Sequence, residues 1–177
     1  MTDLHSLGLF DVVVADPPWR SDFGKTCSRA TERHYPTLTL DELAEIQVPA
    51  LPYSLLVMWA TAPCLRQALA LMEAWGFTYR TSGVWRKDKA GTGKWLRSQH
   101  ELFLLGRRGK FPAPKPGTLP LSVIDAPRGR HSQKPEALQD ALESTYPGLR
   151  YLEMFARRQR PGWTCWGNDP EVSGVAA

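Results

Sequence analysis

Hydrophobic and polar positions along this chain switch between two periods, and each switch marks an element. Residues 10–16, FDVVVAD, hold a continuous apolar run, as expected of a parallel strand covered on both faces. In TLTLDEL, Thr39 and Glu42 have the spacing of a capping box, in which hydroxyl and carboxylate each satisfy an orphan backbone donor; a short helix to about Ile46 follows. YSLLVMWAT, residues 53–61, predicts a second buried strand. From Cys64 to Trp75 the period becomes helical, with Leu65, Leu69, Met72 and Trp75 in register and Gly76 placed to end the helix in a left-handed conformation. FTYRTSGVWRK and HELFLLG read as further strands. Residues 109–130, rich in Pro, Gly and basic side chains, predict a long surface loop. A helix is expected from Pro135 to about Tyr146, proline being tolerated in a first turn whose N–H lacks a partner. RYLEMFA and WTCWGN predict two closing strands, and the residues after Asp169 carry no packing pattern and are expected to fray.

Strands alternating with helices imply a three-layer α/β sandwich around a mostly parallel sheet. At 177 residues the chain suits one domain, taken as 1–169 with a tail at 170–177, able to bury roughly 70% of its unfolded surface. Ligands of such sheets gather at the carboxyl ends of the strands, beside a topological switch point. The tetrapeptide Asp16, Pro17, Pro18, Trp19 follows the first strand at such an end.

Composition narrows the class. With 42% hydrophobic and 23% charged residues the chain is that of a soluble globular protein, and no apolar run approaches the ~20 residues of a membrane span. The N-terminal MTDLHSLGLFD lacks the pattern of a secretory signal, so a cytoplasmic location is expected. Cys27, Cys64 and Cys165 are scattered and odd in number, and the four histidines have no ligand spacing, so neither a disulfide framework nor a metal is expected. The net charge of +4 is unevenly spread: between Arg86 and Arg130 eleven Lys or Arg face Asp88, Glu101 and Asp125, a local +8 against −4 elsewhere. A basic middle on an acidic remainder suits a polyanion such as nucleic acid.

Several α/β chemistries fail on the residues. No G-x-G-x-x-G follows a strand, no G-x-S-x-G is present, and AGTGKW has Asp88 where a P-loop needs its first glycine and Trp95 where it needs Ser or Thr. Asp-Pro-Pro-Trp has narrower uses. The prolines make a stiff turn without N–H donors, so the Asp16 carboxylate and the Pro17 carbonyl form two fixed acceptors suited to the hydrogens of an exocyclic amine. Trp19 adds a flat face on which a base can stack. These residues alone accommodate adenine, cytosine or an amide.

DPPW resembles the catalytic motif of amino-methyltransferases that use S-adenosylmethionine, and ERHYPTLTLDEL, GTGKWLRSQHELFLLGRRGKF, HSQKPEALQDALE and YLEMFARRQRPGWTCWGND are each similar to a segment of the MT-A70 family, in its order. The resemblance spans about Phe10 to Asp169 and implies a Rossmann-like methyltransferase fold, circularly permuted so that the catalytic motif precedes the cofactor motif. It implies that Glu153, Phe155 and Arg157 border the methionine and ribose of the cofactor, that Lys134 lies near its carboxylate, and that Asn168 and Asp169 lie at its adenosine end. Asp16 is then shared between the cofactor's amine and the target amine. Tyr35 lies in a segment that closes over the base in the family, with Arg33 and His34 near phosphates; Arg97, His100 and Glu101 stand at the start of a strand on the ligand side.

The implied activity is methyl transfer to adenine N6 in nucleic acid, without a metal, on a base extruded from the duplex or already single-stranded. DNA is the expected substrate, since the chain has the compactness of small bacterial or phage DNA-modifying members. An RNA substrate and a catalytically silent nucleic-acid-binding subunit are the alternatives. The lack of a separate target-recognition domain predicts a short recognition sequence or a homodimer.

Overall fold

The computed structural model describes residues 3–20, 37–93, 95–118, 120–129 and 133–167. Its centre is a seven-stranded sheet, in chain order β1 (Phe10–Ala15), β2 (Ala50–Ala60), β3 (Thr78–Arg86), β4 (His100–Arg108), β5 (Val123–Asp125), β6 (Tyr151–Met154) and β7 (Trp163–Trp166). Among the described residues three α-helices accompany it: α1 (Leu40–Ala44), α2 (Leu65–Ala74) and α3 (Ala137–Thr145). Across the sheet the order is β5-β3-β4-β2-β1-β6-β7. β1 pairs in parallel with β2 and β6, β6 with β7, and β3 with β5, whereas β4 runs antiparallel to both β2 and β3. This is the three-layer, mostly parallel Rossmann-like arrangement expected from the alternation of periods.

The apolar run of β1 is explained by cover on both faces. Val13 and Ala15 join one core with Leu43 of α1 and Ala68, Leu71 and Met72 of α2; Val12 and Val14 join the other with Leu138 and Leu142 of α3. Thr39 caps α1 through the reciprocal box, its hydroxyl accepting from the Glu42 N–H at 3.2 Å and its own N–H donating to the Glu42 carboxylate at 2.7 Å. Gly76 ends α2 with φ +77°, a conformation that glycine reaches at little cost. The stripe of α2 is rotated from the one read in the sequence: Ala68, Leu71, Met72 and Trp75 are buried, while Leu65 is an exposed residue of the first turn.

Two expectations change. The stretch read as one surface loop, 109–130, contains β5, whose three residues pair with β3 at the sheet edge. β2 begins at Ala50, three residues earlier than expected. The antiparallel β4 has a consequence for the site, because its first residues reach the same sheet edge as the last residues of the parallel strands. From β1 the chain moves to β2 on one side, and from β6 to β7 on the other, so the boundary between β1 and β6 is the switch point where a ligand crevice opens.

Candidate active site

Asp16 leaves the sheet at that boundary, its N–H donating to the Met154 carbonyl at 3.3 Å, so two adjacent strands fix where its side chain starts. The prolines then turn the chain. The Trp19 N–H donates to the Pro17 carbonyl at 2.8 Å in a three-residue turn, and the Leu38 N–H donates to the Pro18 carbonyl at 3.0 Å. Pro17 is thus outside the sheet ladder as expected, but one lone pair of its carbonyl is engaged within the turn, and among the described residues no second donor meets the other. Trp19 is half-buried, packs against the α1/α2 core, and donates its indole N–H to the Trp59 carbonyl at 3.2 Å.

Lys134 comes to Asp16 from three residues ahead of α3. Its Nζ lies 2.7 Å from Asp16 Oδ2 and 3.4 Å from Glu101 Oε2, with 12% of its side chain exposed against 17% for each acid. Glu101, at the start of β4, is held at its other oxygen by Lys87 Nζ at 2.6 Å. Asp16, Lys134, Glu101 and Lys87 therefore form a row of alternating charge along the carboxyl edge. The row has an aromatic floor: Lys134 Nζ is 5.7 Å from the Trp59 ring centroid and Lys87 Nζ 4.9 Å from that of Trp85, and the two rings meet edge to face at 6.3 Å.

The row sets its own protonation. Burial alone would lower the Lys134 ammonium, but the charges of Asp16 and Glu101 outweigh it and hold this lysine above its ordinary range. Burial would likewise raise the Glu101 carboxyl, and the Lys134 charge with the Lys87 hydrogen bond brings it below the ordinary carboxylate range. Both groups stay charged at neutral pH.

A second polar group lies under β6. Gln139 of α3, 1% exposed, donates through Nε2 to Glu153 Oε2 at 3.3 Å, and its Oε1 has no hydrogen-bond partner among the described residues. Burial, aided by the charge of Asp16, raises the Glu153 carboxyl above its ordinary value against the opposing pull of Gln139, Arg158 and Arg160. Directly after β6, Phe155 adopts φ +61°, the one positive φ of a non-glycine among the described residues, and meets Trp166 edge to face at 5.5 Å. Such a conformation costs a non-glycine residue roughly 1–2 kcal/mol and gathers at functional sites. The chain beyond it is strapped to α3: Arg160 reaches Asp140 at 2.6 Å and Glu143 at 2.9 Å, and Arg158 reaches Glu136 at 2.9 Å and the Lys134 carbonyl at 3.4 Å. Gly167 follows β7 so close to that strap that a Cβ there would overlap the Ala156 carbonyl oxygen.

Of the residues expected from sequence, Asp16, Lys134 and Glu101 meet directly. Glu153 and Arg157 are within electrostatic reach, the Asp16 charge acting on Glu153 and the Arg157 charge on Lys134. Arg97 is exposed and bonds the Gly91 carbonyl at 3.4 Å, and His100 is exposed opposite Arg86 in the β3–β4 ladder; neither is hydrogen-bonded to the charged row. Arg33, His34, Tyr35, Asn168 and Asp169 lie outside the described residues. Sequence reasoning missed Lys87, Trp59, Trp85 and Gln139. Their signals were a lysine and a glutamate at the meeting ends of consecutive strands, and a glutamine inside the apolar stripe of α3. Among the described residues no group of three or more His, Cys, Asp or Glu is placed to hold a metal ion, and no helix is long and apolar enough to cross a membrane.

Residues 10–169 match the model of the MT-A70 family. The type II methyltransferase M.MunI of a Mycoplasma species is 33% identical, over 89% of this chain and 76% of its own length. The N(6)-adenosine-methyltransferase catalytic subunit METTL3 of Homo sapiens is 30% identical over 98% of this chain. A putative MT-A70-like N(6)-adenosine-methyltransferase of Medicago truncatula is 30% identical over 96% of it. This chain spans 30% and 27% of the lengths of these last two.

Proposed function

We infer that this chain, which belongs to the MT-A70 family, transfers a methyl group from S-adenosylmethionine to the exocyclic N6 amine of adenine in DNA. The observation that carries the reading is the buried pairing of Asp16 with Lys134 at the switch point, backed by Glu101. A buried row of charge at a strand edge is a costly way to stabilise a fold, and its presence beside a two-proline turn is accounted for by a ligand.

The residues present fit the cofactor. Lys134 is the cation for its carboxylate and Asp16 the acceptor for its amine. Glu153 offers a half-buried carboxyl to hydroxyl groups, and the unsatisfied Gln139 Oε1 beside it is the kind of buried acceptor a polar ligand completes. The family resemblance assigns Phe155 and Arg157 to the methionine and ribose of the cofactor, and Asn168 and Asp169 to its adenosine end. S-adenosylmethionine, when bound, supplies a methyl carbon activated by its sulfonium. The protein's part is alignment. The Asp16 carboxylate and the remaining lone pair of the Pro17 carbonyl accept the two amine hydrogens, Pro18 stiffens the turn, and the partly exposed face of Trp19 walls the base. Lys134 stays an ammonium, so Asp16 works as an acceptor beside a fixed cation, which is catalysis by position and electrostatics. Tyr35, with Arg33 and His34, is assigned to the base side, and Arg97 and His100 to the approaching strand.

DNA is favoured by the similarity to M.MunI, the type II enzyme, which is matched over most of its own length and of this chain. The test is incubation with isotopically labelled S-adenosylmethionine and matched DNA and RNA oligonucleotides, followed by digestion and identification of the methylated nucleoside by mass. N6-methyldeoxyadenosine is expected. Product from the RNA alone would move the substrate to RNA, and a different methylated nucleoside would overturn the adenine assignment.

A further inference from the structure

The segment joining β3 to β4 is an arm rooted in the charged row, with Lys87 at one foot and Glu101 at the other. Its backbone continues the hairpin: the Lys87 N–H donates to the Gln99 carbonyl at 2.8 Å and the Gly91 N–H to the Ser98 carbonyl at 2.7 Å. The Gln99 amide adds a 3.0 Å bond back to the Lys87 carbonyl. Towards the tip the turn closes on itself, since a Cβ on Gly93 would overlap the Leu96 carbonyl. At the end of this braced arm Trp95 is 96% exposed and Leu96 85% exposed. Tryptophan is the side chain with most to gain from burial, and a braced backbone that holds one in solvent beside an exposed leucine offers a partner an apolar contact.

Resting on the nucleic-acid reading above, we propose that Trp95 is a stacking residue for the substrate strand, which it grips beside the base held at Asp16. Charge selects this occupant. Lys89 and Arg97 are exposed on the same arm, within the stretch where eleven basic residues face three acids. An exposed aromatic face on an arm that also carries cations suits a base and its neighbouring phosphates, and an apolar wedge of this kind also steadies a duplex from which a nucleotide has been extruded. Leu96 extends the wedge.

The test uses the full chain and its Trp95→Ala and Trp95→Phe variants, measured for equilibrium binding to a fluorescein-labelled, adenine-containing DNA duplex and its single strand over a range of salt. Trp95→Ala is expected to weaken binding by about tenfold or more, the equivalent of one lost base stack. The slope of log affinity against log salt stays unchanged, because no phosphate contact is lost. Trp95→Phe retains most of the affinity, which a residue serving only the fold would not require. Unchanged affinity and KM in Trp95→Ala would overturn the proposal while leaving adenine methylation by the wild type intact. A wild-type dimer that Trp95→Ala splits without loss of DNA affinity would overturn it too, assigning the arm to a second copy of the chain. Weakened DNA binding in Trp95→Ala together with no methylated adenine from the wild type would sustain the stacking role and sink the catalytic reading instead.

Discussion

Replacing Lys134 by methionine removes one charge from the middle of the row and leaves the shape nearly intact. Two carboxylates lose a partner, but unequally. Glu101 keeps Lys87 at 2.6 Å, whereas Asp16, 17% exposed, loses the ammonium at 2.7 Å. Breaking a buried pair by deleting one side costs about 3–5 kcal/mol, and with only one carboxylate stranded the lower figure of about 3 applies. For a chain of this size that lowers Tm by roughly 6–12 °C. The loss should depend on pH with a definite sign. Without the cation Glu101 loses the largest of the influences that lower its carboxyl and binds a proton more readily in the folded state, so the gap between wild type and Lys134→Met closes as pH falls towards about 4. Asp16→Asn leaves Lys134 facing Glu101 and costs about 1 kcal/mol, the scale of one ordinary hydrogen bond. The double variant is then more stable than the sum of the single losses, by about 1–2 kcal/mol of coupling. Thermal melts of the four proteins from acid to neutral pH supply every number. Additive losses, or a Lys134→Met deficit that is the same at all pH values, would refute the reasoning.

Glu153 gives a prediction of opposite sign. Its folded-state carboxyl is raised, so the destabilisation from ionising it is full above that raised value and absent below the unfolded value of about 4.3; Glu153→Gln therefore melts higher than wild type near neutral pH, with the advantage vanishing in acid. Gly167→Ala forces a Cβ into the Ala156 carbonyl, and should lower Tm by several degrees and weaken cofactor binding in equilibrium titration, since the chain runs on to the segment assigned to adenosine. Thr39→Ala removes the box that starts α1 and should cost about 1 kcal/mol in denaturant unfolding without changing methyl transfer.

Local chemistry explains what could be read from the chain alone. The apolar run of β1, the box at Thr39 and the glycine after α2 are decided by neighbouring residues, and each stands as expected. β5 was invisible because Val123, Ile124 and Asp125 are mostly exposed and owe their pairing to β3, nearly forty residues earlier in the chain. The direction of β4 was equally hidden, since a buried strand has the same pattern whichever way it runs, and with it went the meeting of Lys87 and Glu101. At the site, Asp16 and Lys134 were legible as types but not as a pair: they are separated by 118 positions, and only the crossing of β1 and α3 joins them. Trp59 read as core, which it is; that its ring also underlies a buried ammonium follows from the fold alone.

The central claim is that Asp16 holds the amine that receives the methyl group. It is tested most directly by digesting DNA treated with wild type and with Asp16→Ala, each given deuteromethyl-labelled S-adenosylmethionine, and weighing the adenine nucleoside. Trideuterated N6-methyldeoxyadenosine from wild type, and none above background from a folded Asp16→Ala protein, is the expected result. The same nucleoside at comparable yield from Asp16→Ala would contradict the account.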